Sequence, residues 1–130
     1  MEFTDKIYIA GHRGMVGSSL ERKLLASGYS NIIIRSSKDL DLRNQEAVNK
    51  FFDLEKPDIV ILAAAKVGGI HANNTYRADF IYENLMIQNN VAYRVMAHRC
   101  ALLSFTFIFC GISRSMIFNK TNLTSNILPR

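Results

Sequence analysis

Gly11-His12-Arg13-Gly14-Met15-Val16-Gly17 follows the apolar run Lys6-Ile7-Tyr8-Ile9-Ala10 and opens into Val16, Leu20 and Leu24, apolar residues four apart. That order predicts a buried strand, a tight glycine turn and the start of a helix. A turn without side chains lets the backbone approach a dinucleotide pyrophosphate. Unpaired N–H groups and the positive end of the helix dipole then stabilise the anion. Gly17, one turn into the helix, lets helix and strand pack closely. Three glycines alone occur in many turns; the strand before and the helix after carry this reading.

Working outward, the first helix is expected to end near Ser27-Gly28, with the glycine in the left-handed cap position. Asn31-Ile32-Ile33-Ile34 then reads as a second buried strand. Sites for NAD usually place an acid just beyond this strand, on the ribose 2′-hydroxyl. Here the chain instead has Arg35-Ser36-Ser37-Lys38, and Asp39 and Asp41 come later. Cationic and hydroxyl groups suit a 2′-phosphate, so NADP (NADPH) is expected rather than NAD, with Arg35 and Lys38 as phosphate partners and Arg13 on the same side of the adenosine. Solvated loop charges would leave the same pattern.

Residues 44–56 carry Ala47, Val48, Phe51, Phe52 and Leu54 in a one-sided helical pattern, with Asp41 or Asn44 as a cap and Lys56-Pro57 as the stop. Asp58-Ile59-Val60-Ile61-Leu62 reads as a third buried strand. Three strands separated by helices, without a hairpin signal, require crossovers and a parallel sheet. The fold class is therefore α/β, a Rossmann-type doubly wound parallel sheet of three to four strands with flanking helices, truncated relative to a complete fold and followed by a divergent C-terminal tail. Ligands of such sheets lie beyond the carboxyl ends of the strands. The loop after Leu62 therefore matters: Ala63, Ala64 and Ala65 permit close approach, and Lys66, His71, Asn73 and Asn74 add polar groups. His71 reads as a proton carrier or as an ordinary surface histidine. From Asp79 to about Met96 apolar residues recur at helical spacing. Asn84 and Gln88 share that stripe, either bonding the preceding loop from behind or belonging to a half-buried face.

Charge excludes some classes of function. Residues 1–83 hold all 11 acids and 11 of the 16 Lys and Arg; the remaining five bases are scattered over residues 84–130. The net charge of +5 is thus not a phosphate-tracking patch, and no nucleic-acid partner is expected. The longest apolar run, Ala101 to Ile112, contains Ser104 and Thr106 and is too short to span a bilayer, so no membrane association is expected. Two cysteines, Cys100 and Cys110, and an amino terminus without signal-peptide character suggest a reducing cytoplasm. No metal site is expected.

The segments Ile9 to Ser18, Ala63 to Ile70, Ala72-Asn73-Asn74-Thr75-Tyr76 and Ala78-Asp79-Phe80-Ile81-Tyr82 closely resemble the bacterial GDP-L-fucose synthase family. This family, also called GDP-4-keto-6-deoxy-D-mannose epimerase/reductase, belongs to the extended short-chain dehydrogenase/reductase superfamily. The resemblance implies an NADPH-dependent oxidoreductase and isomerase of nucleotide-sugar metabolism. Such an enzyme, usually a homodimer, epimerises C3 and C5 of a keto-sugar nucleotide and then reduces C4. Carried over, it places Gly11, His12, Arg13, Gly14, Met15, Val16 and Gly17 on the pyrophosphate. It places Ser37 to Leu42, including Lys38, Asp41 and Leu42, around the adenosine, and Ala63, Ala64 and Ala65 on the path to the nicotinamide. It carries no oligomeric state to this chain, because the family's dimer helices fall at or after the point where the match fades.

The family's reductase step uses a Ser and a Tyr-x-x-x-Lys pair, in which the lysine lowers the tyrosine pKa so that the phenol can act as an acid. Four residues after Tyr8, Tyr29, Tyr76, Tyr82 and Tyr93 stand His12, Ile33, Phe80, Met86 and Ala97, so the chain has no such pair. Cys110 precedes Gly111, and Ile112 takes the serine's place, so neither Cys110 nor Ser113 is assigned a catalytic role. The sequence thus divides into an NADP-binding half-domain, residues 1–96, and a divergent segment, 97–130. That segment is expected to hold one strand within 101–112 and a polar tail, and its change of character suits a frameshifted or prematurely ended gene. Two functions fit. One is the cofactor-binding portion of an epimerase/reductase, inactive alone. The other is a non-catalytic nucleotide-binding or regulatory module whose basic tail docks a partner.

Overall fold

The computed structural model describes residues 2–68, 75–104 and 116–118. In chain order the elements are β1 (Ile7–Ala10), α1 (Met15–Ala26), β2 (Ile32–Arg35), α2 (Gln45–Glu55), β3 (Ile59–Leu62), α3 (Arg77–His98), β4 (Ala101–Ser104) and β5 (Met116–Phe118). They form one sheet in the order β2-β1-β3-β4-β5. The first four strands are parallel, with Ile7 opposite both Ile32 and Ile59, and Ile59 opposite Ala101.

Burial on both faces explains why the strands lack polar alternation. All four residues of β1 are buried. Ile7, Ile9 and Ile61 point to one side, where Leu20 and Leu24 of α1 cover them. Tyr8, Ala10, Val60, Leu62 and Leu102 point to the other, against Val48, Phe51 and Phe52 of α2 and Val91 and Val95 of α3. The Tyr8 ring lies 4.5 Å from that of Phe51 and edge-on to that of Phe52 at 6.4 Å.

The helix ends follow local chemistry. The chain leaves α1 through Ser27, and Gly28 has φ +90°, the left-handed conformation expected of it. Asn44 is the cap of α2, its side-chain oxygen accepting from Ala47 N–H at 3.1 Å. Lys56 ends that helix in a left-handed conformation immediately before Pro57. The third helix begins two residues before the expected Asp79 and ends two after Met96.

Two expectations about the last third need restating. Of the strand expected within 101–112, β4 comprises Ala101–Ser104, and the rest lies outside the described residues. A fifth strand, β5, pairs antiparallel with β4, with Leu102 opposite Phe118. The four parallel strands agree with the three to four read from the sequence, and the antiparallel β5 is an addition to them. A run as short as Met116-Ile117-Phe118 has no periodicity to announce it; pairing with the edge of β4 is what makes it a strand.

Candidate functional site

At the carboxyl end of β1 the chain enters the glycine turn. Gly11 has φ +87°, and a Cβ there would lie 2.6 Å from the Ala64 backbone nitrogen, so both conformation and space demand glycine. Gly14 N–H donates to the Gly11 carbonyl at 3.0 Å and closes the turn. Gly14 is also the N-cap of α1 and offers no side-chain acceptor. The first intrahelical bond is from Ser18 N–H to the Gly14 carbonyl at 2.9 Å, so the N–H groups of Met15, Val16 and Gly17 have no intrahelical acceptor. Gly17 presses on the turn itself: a Cβ would stand 2.1 Å from the Gly11 carbonyl oxygen.

A cleft of about 400 Å³ lies beyond the ends of β1, β2 and β3. One wall is the turn, Gly11 to Gly14. A second is the segment after β2, with Arg35, Ser36, Ser37 and Leu40 to Arg43. A third is the loop after β3, Ala63 to Lys66, backed by Glu83 and Ile87 of α3, and Tyr8 contributes from β1. His12 Nδ1 is buried and has no hydrogen-bond partner among the described residues, a polar atom left for a ligand to satisfy.

Charges around the cleft are arranged in pairs. Arg35 donates to the Ile34 carbonyl at 2.8 Å and to Glu55 Oε1 at 2.6 Å, and lies over the Phe51 ring. Ser36 donates to Asp39 at 2.6 Å, and this bond holds the Asp39 carboxyl below its ordinary pKa. Arg43 donates to both oxygens of Asp41 and, at 2.8 Å, to Glu83. Glu83 also accepts from Lys66 Nζ. Hydrogen bonds from Arg43 lower the Asp41 pKa, and the bond from Lys66, followed by that from Arg43, lowers that of Glu83. Asn84 grips the Lys66 backbone twice, accepting from its N–H at 2.7 Å and donating to its carbonyl at 3.0 Å, so the polar stripe on α3 does hold the loop from behind at this position. Burial pushes the Tyr8 phenol far above its ordinary pKa, a shift that Arg35 opposes. A phenol kept neutral by burial contributes a hydrogen-bonding group and no charge.

Of the residues expected at the cofactor, the structure brings Gly11, His12, Arg13, Gly14, Arg35, Ser37, Asp41, Leu42 and Ala63 to Ala65 together on the cleft. Met15, Val16 and Gly17 form the first turn of α1 behind it, and Lys38 falls outside the lining. His71, Asn73 and Asn74 lie outside the described residues, as do Cys110 and Ser113. Sequence reasoning passed over Tyr8, Arg43, Glu83 and Ile87 as lining residues, whereas Leu40 falls within the Ser37 to Leu42 stretch expected around the adenosine. Tyr8 and Ile87 read as ordinary core positions. Arg43 and Glu83 are 40 residues apart and only the fold makes them neighbours. Among the described residues no group of side chains suits a metal ion, and no helix is long and apolar enough to cross a membrane.

The sequence profile of the NAD dependent epimerase/dehydratase family matches residues 7–116. The match thus runs past residue 96, where the resemblance read from motifs fades, and includes β4. GDP-L-fucose synthase 1 of Arabidopsis thaliana is 53% identical over 105 residues, which cover 81% of this chain and 32% of that protein. GDP-L-fucose synthase of Sinorhizobium fredii is 42% identical over 127 residues, 95% of this chain and 40% of that one. Among solved structures, MlghC, a GDP-mannoheptose C4 reductase from Campylobacter jejuni with NADP bound, superposes with a TM-score of 0.77 at 47% identity. The superposition covers 81% of this chain and 33% of the reductase. The chain spans about a third of the length of the curated relatives it matches first.

Proposed function

Because this chain belongs to the NAD dependent epimerase/dehydratase family, we propose that its cleft binds NADP(H) as the cofactor-binding portion of a GDP-L-fucose synthase-like epimerase/reductase acting on a nucleotide sugar. The observation that carries the reading is the glycine turn. Gly11 and Gly17 are held where a Cβ would strike backbone, while unpaired N–H groups at the start of α1 face the cleft end of the sheet. Three further features fit the same ligand: an unpartnered buried nitrogen on His12, a guanidinium at the end of β2, and an alanine loop after β3.

When bound, the dinucleotide supplies the hydride-transfer chemistry of the family. The chain's own residues bind and orient it. Backbone N–H groups of Met15, Val16 and Gly17 hold the pyrophosphate, aided by the dipole of α1. Arg35, with Arg13 and Ser37, receives the 2′-phosphate, and Asp41 and Leu42 border the adenosine. Ala63 to Ala65 admit the nicotinamide end without steric obstruction. Epimerisation and reduction need an acid and a base near the sugar, and these 130 residues contain no Tyr-x-x-x-Lys pair. Binding without turnover is therefore the expected behaviour of the chain on its own.

Two measurements test this. Titration followed by the fluorescence of NADPH should show saturable binding, and its absence would refute the cofactor reading. Incubation with NADPH and GDP-4-keto-6-deoxy-D-mannose should leave the nicotinamide absorbance unchanged; a steady fall would show that the 130 residues suffice for reduction.

A further inference from the structure

We infer that Glu55, at the carboxyl end of α2 and outside the cleft lining, limits how strongly this chain prefers a 2′-phosphorylated dinucleotide over its unphosphorylated counterpart. The inference rests on the cofactor reading given above and adds a specificity-determining residue to it.

Arg35 is the cation that the end of β2 presents to the cleft, and it is not unencumbered. One terminal nitrogen donates to its neighbour's carbonyl, Ile34, at 2.8 Å, and the other to Glu55 Oε1 at 2.6 Å. The Phe51 ring, 5.8 Å from the guanidinium carbon, supports it from below. The second oxygen of Glu55 lies 3.4 Å from Lys6 Nζ, which also donates to the Glu55 backbone carbonyl at 2.8 Å. One carboxylate is thus shared by two cations. The trio carries a net single positive charge, and Lys6 decides how much of the Glu55 charge is left to oppose an anion at Arg35.

A phosphate docking on the free edge of Arg35 brings two negative charges to within a Debye length, about 8 Å, of that carboxylate. The repulsion acts on the 2′-phosphate and far less on the pyrophosphate, which belongs at the glycine turn on another wall of the cleft. It therefore separates the two cofactors rather than weakening both. Glutamine at position 55 keeps an oxygen for the Arg35 N–H and removes only the charge, so the guanidinium stays in place with its full positive field.

Dissociation constants for NADPH and NADH should be measured on the unaltered chain, on Glu55→Gln and on Lys6→Gln, with melting temperatures as the check on folding. Glu55→Gln is expected to bind NADPH roughly threefold to tenfold more tightly, as screened Coulomb repulsion at this separation implies, while NADH changes less than about twofold. Lys6→Gln, which frees Glu55 of its second cation, is expected to weaken NADPH by a comparable factor and spare NADH. An NADPH-to-NADH affinity ratio unchanged or lowered in Glu55→Gln overturns the inference while leaving the cofactor reading intact. An unaltered chain that binds neither dinucleotide overturns the cofactor reading and this inference with it. Should Glu55→Gln melt below the assay temperature, the Lys6→Gln ratio decides alone.

Discussion

Replacing Gly17 by alanine is the most direct test of how the turn and the first helix depend on each other. Gly17 is buried within the first turn of α1. The added Cβ would sit 2.1 Å from the Gly11 carbonyl oxygen, 2.7 Å from its carbon and 2.9 Å from the His12 Cα. All three are backbone atoms, so no side chain can rotate away, and the start of α1 must recede by about 1 Å to restore van der Waals contact. Overpacking of this kind costs about 1–3 kcal/mol. Alanine returns up to about 1 kcal/mol through its better helix propensity. The net loss of about 1–2 kcal/mol predicts a melting temperature lower by roughly 5–10 °C. Binding should suffer more than stability, because the N–H groups proposed to hold the pyrophosphate move with the helix. A charge-assisted hydrogen bond contributes about 1.5–3 kcal/mol, so the loss of one predicts at least a roughly tenfold weaker affinity for NADPH. Gly14→Ala is the control for stability: its Cβ would meet the Gly11 carbonyl at 3.4 Å, an ordinary contact, and the melting temperature should barely change. Thermal unfolding followed by circular dichroism, and titration with NADPH, give both readouts. A Gly17→Ala protein as stable as the parent, with unaltered affinity, would refute the close-packing argument.

Two other expectations concern the walls of the cleft. Asn84→Ala removes both bonds to the Lys66 backbone; hydrogen exchange of the Lys66 amide should accelerate by roughly fivefold, consistent with about 1 kcal/mol of local bonding, with little change in global melting. Protection unchanged in the variant would show that the loop is held by something else. The carboxyls of Asp39, Asp41 and Glu83 all have folded-state pKa values below their ordinary ones. Their contribution to stability is therefore complete above the ordinary carboxylate range and is lost as pH falls below about 4, through the lowered values. Urea midpoints between pH 5 and 3 should decline, and Asp41→Asn should make the decline shallower; identical slopes would show that the Arg43 pairing contributes nothing to folding. Asp39 is exposed and Asp41 and Glu83 are only half-buried, so solvent screens these pairs and the effect on stability is small.

The elements that were legible in advance share a cause. Strands β1, β2 and β3 are short apolar runs because helices cover both faces of the sheet, and the runs survive in the sequence as Ile7 to Ala10, Ile32 to Ile34 and Ile59 to Leu62. The glycine turn was legible because its geometry admits no side chain at Gly11 or Gly17. Asn44 and Gly28 were legible as helix ends because capping is chemistry between near neighbours. By contrast, β5 is three residues whose pairing with β4 leaves no periodic trace. Arg43 as a clamp between Asp41 and Glu83 was equally hidden, because the partners come from different elements.

The amino-acid order alone therefore determined the alternation of strand and helix, the position of the glycine turn and the absence of a Tyr-x-x-x-Lys pair, because each is a property of residues within a few positions of one another. Tertiary structure decided which charges remain available. Arg35 reads in the sequence as a cation awaiting a phosphate, and in the folded chain it shares a carboxylate with Lys6, two strands and a helix end brought together by sheet packing. Short-range geometry is written along the chain, whereas electrostatic balance depends on distances that exist only once the sheet has formed.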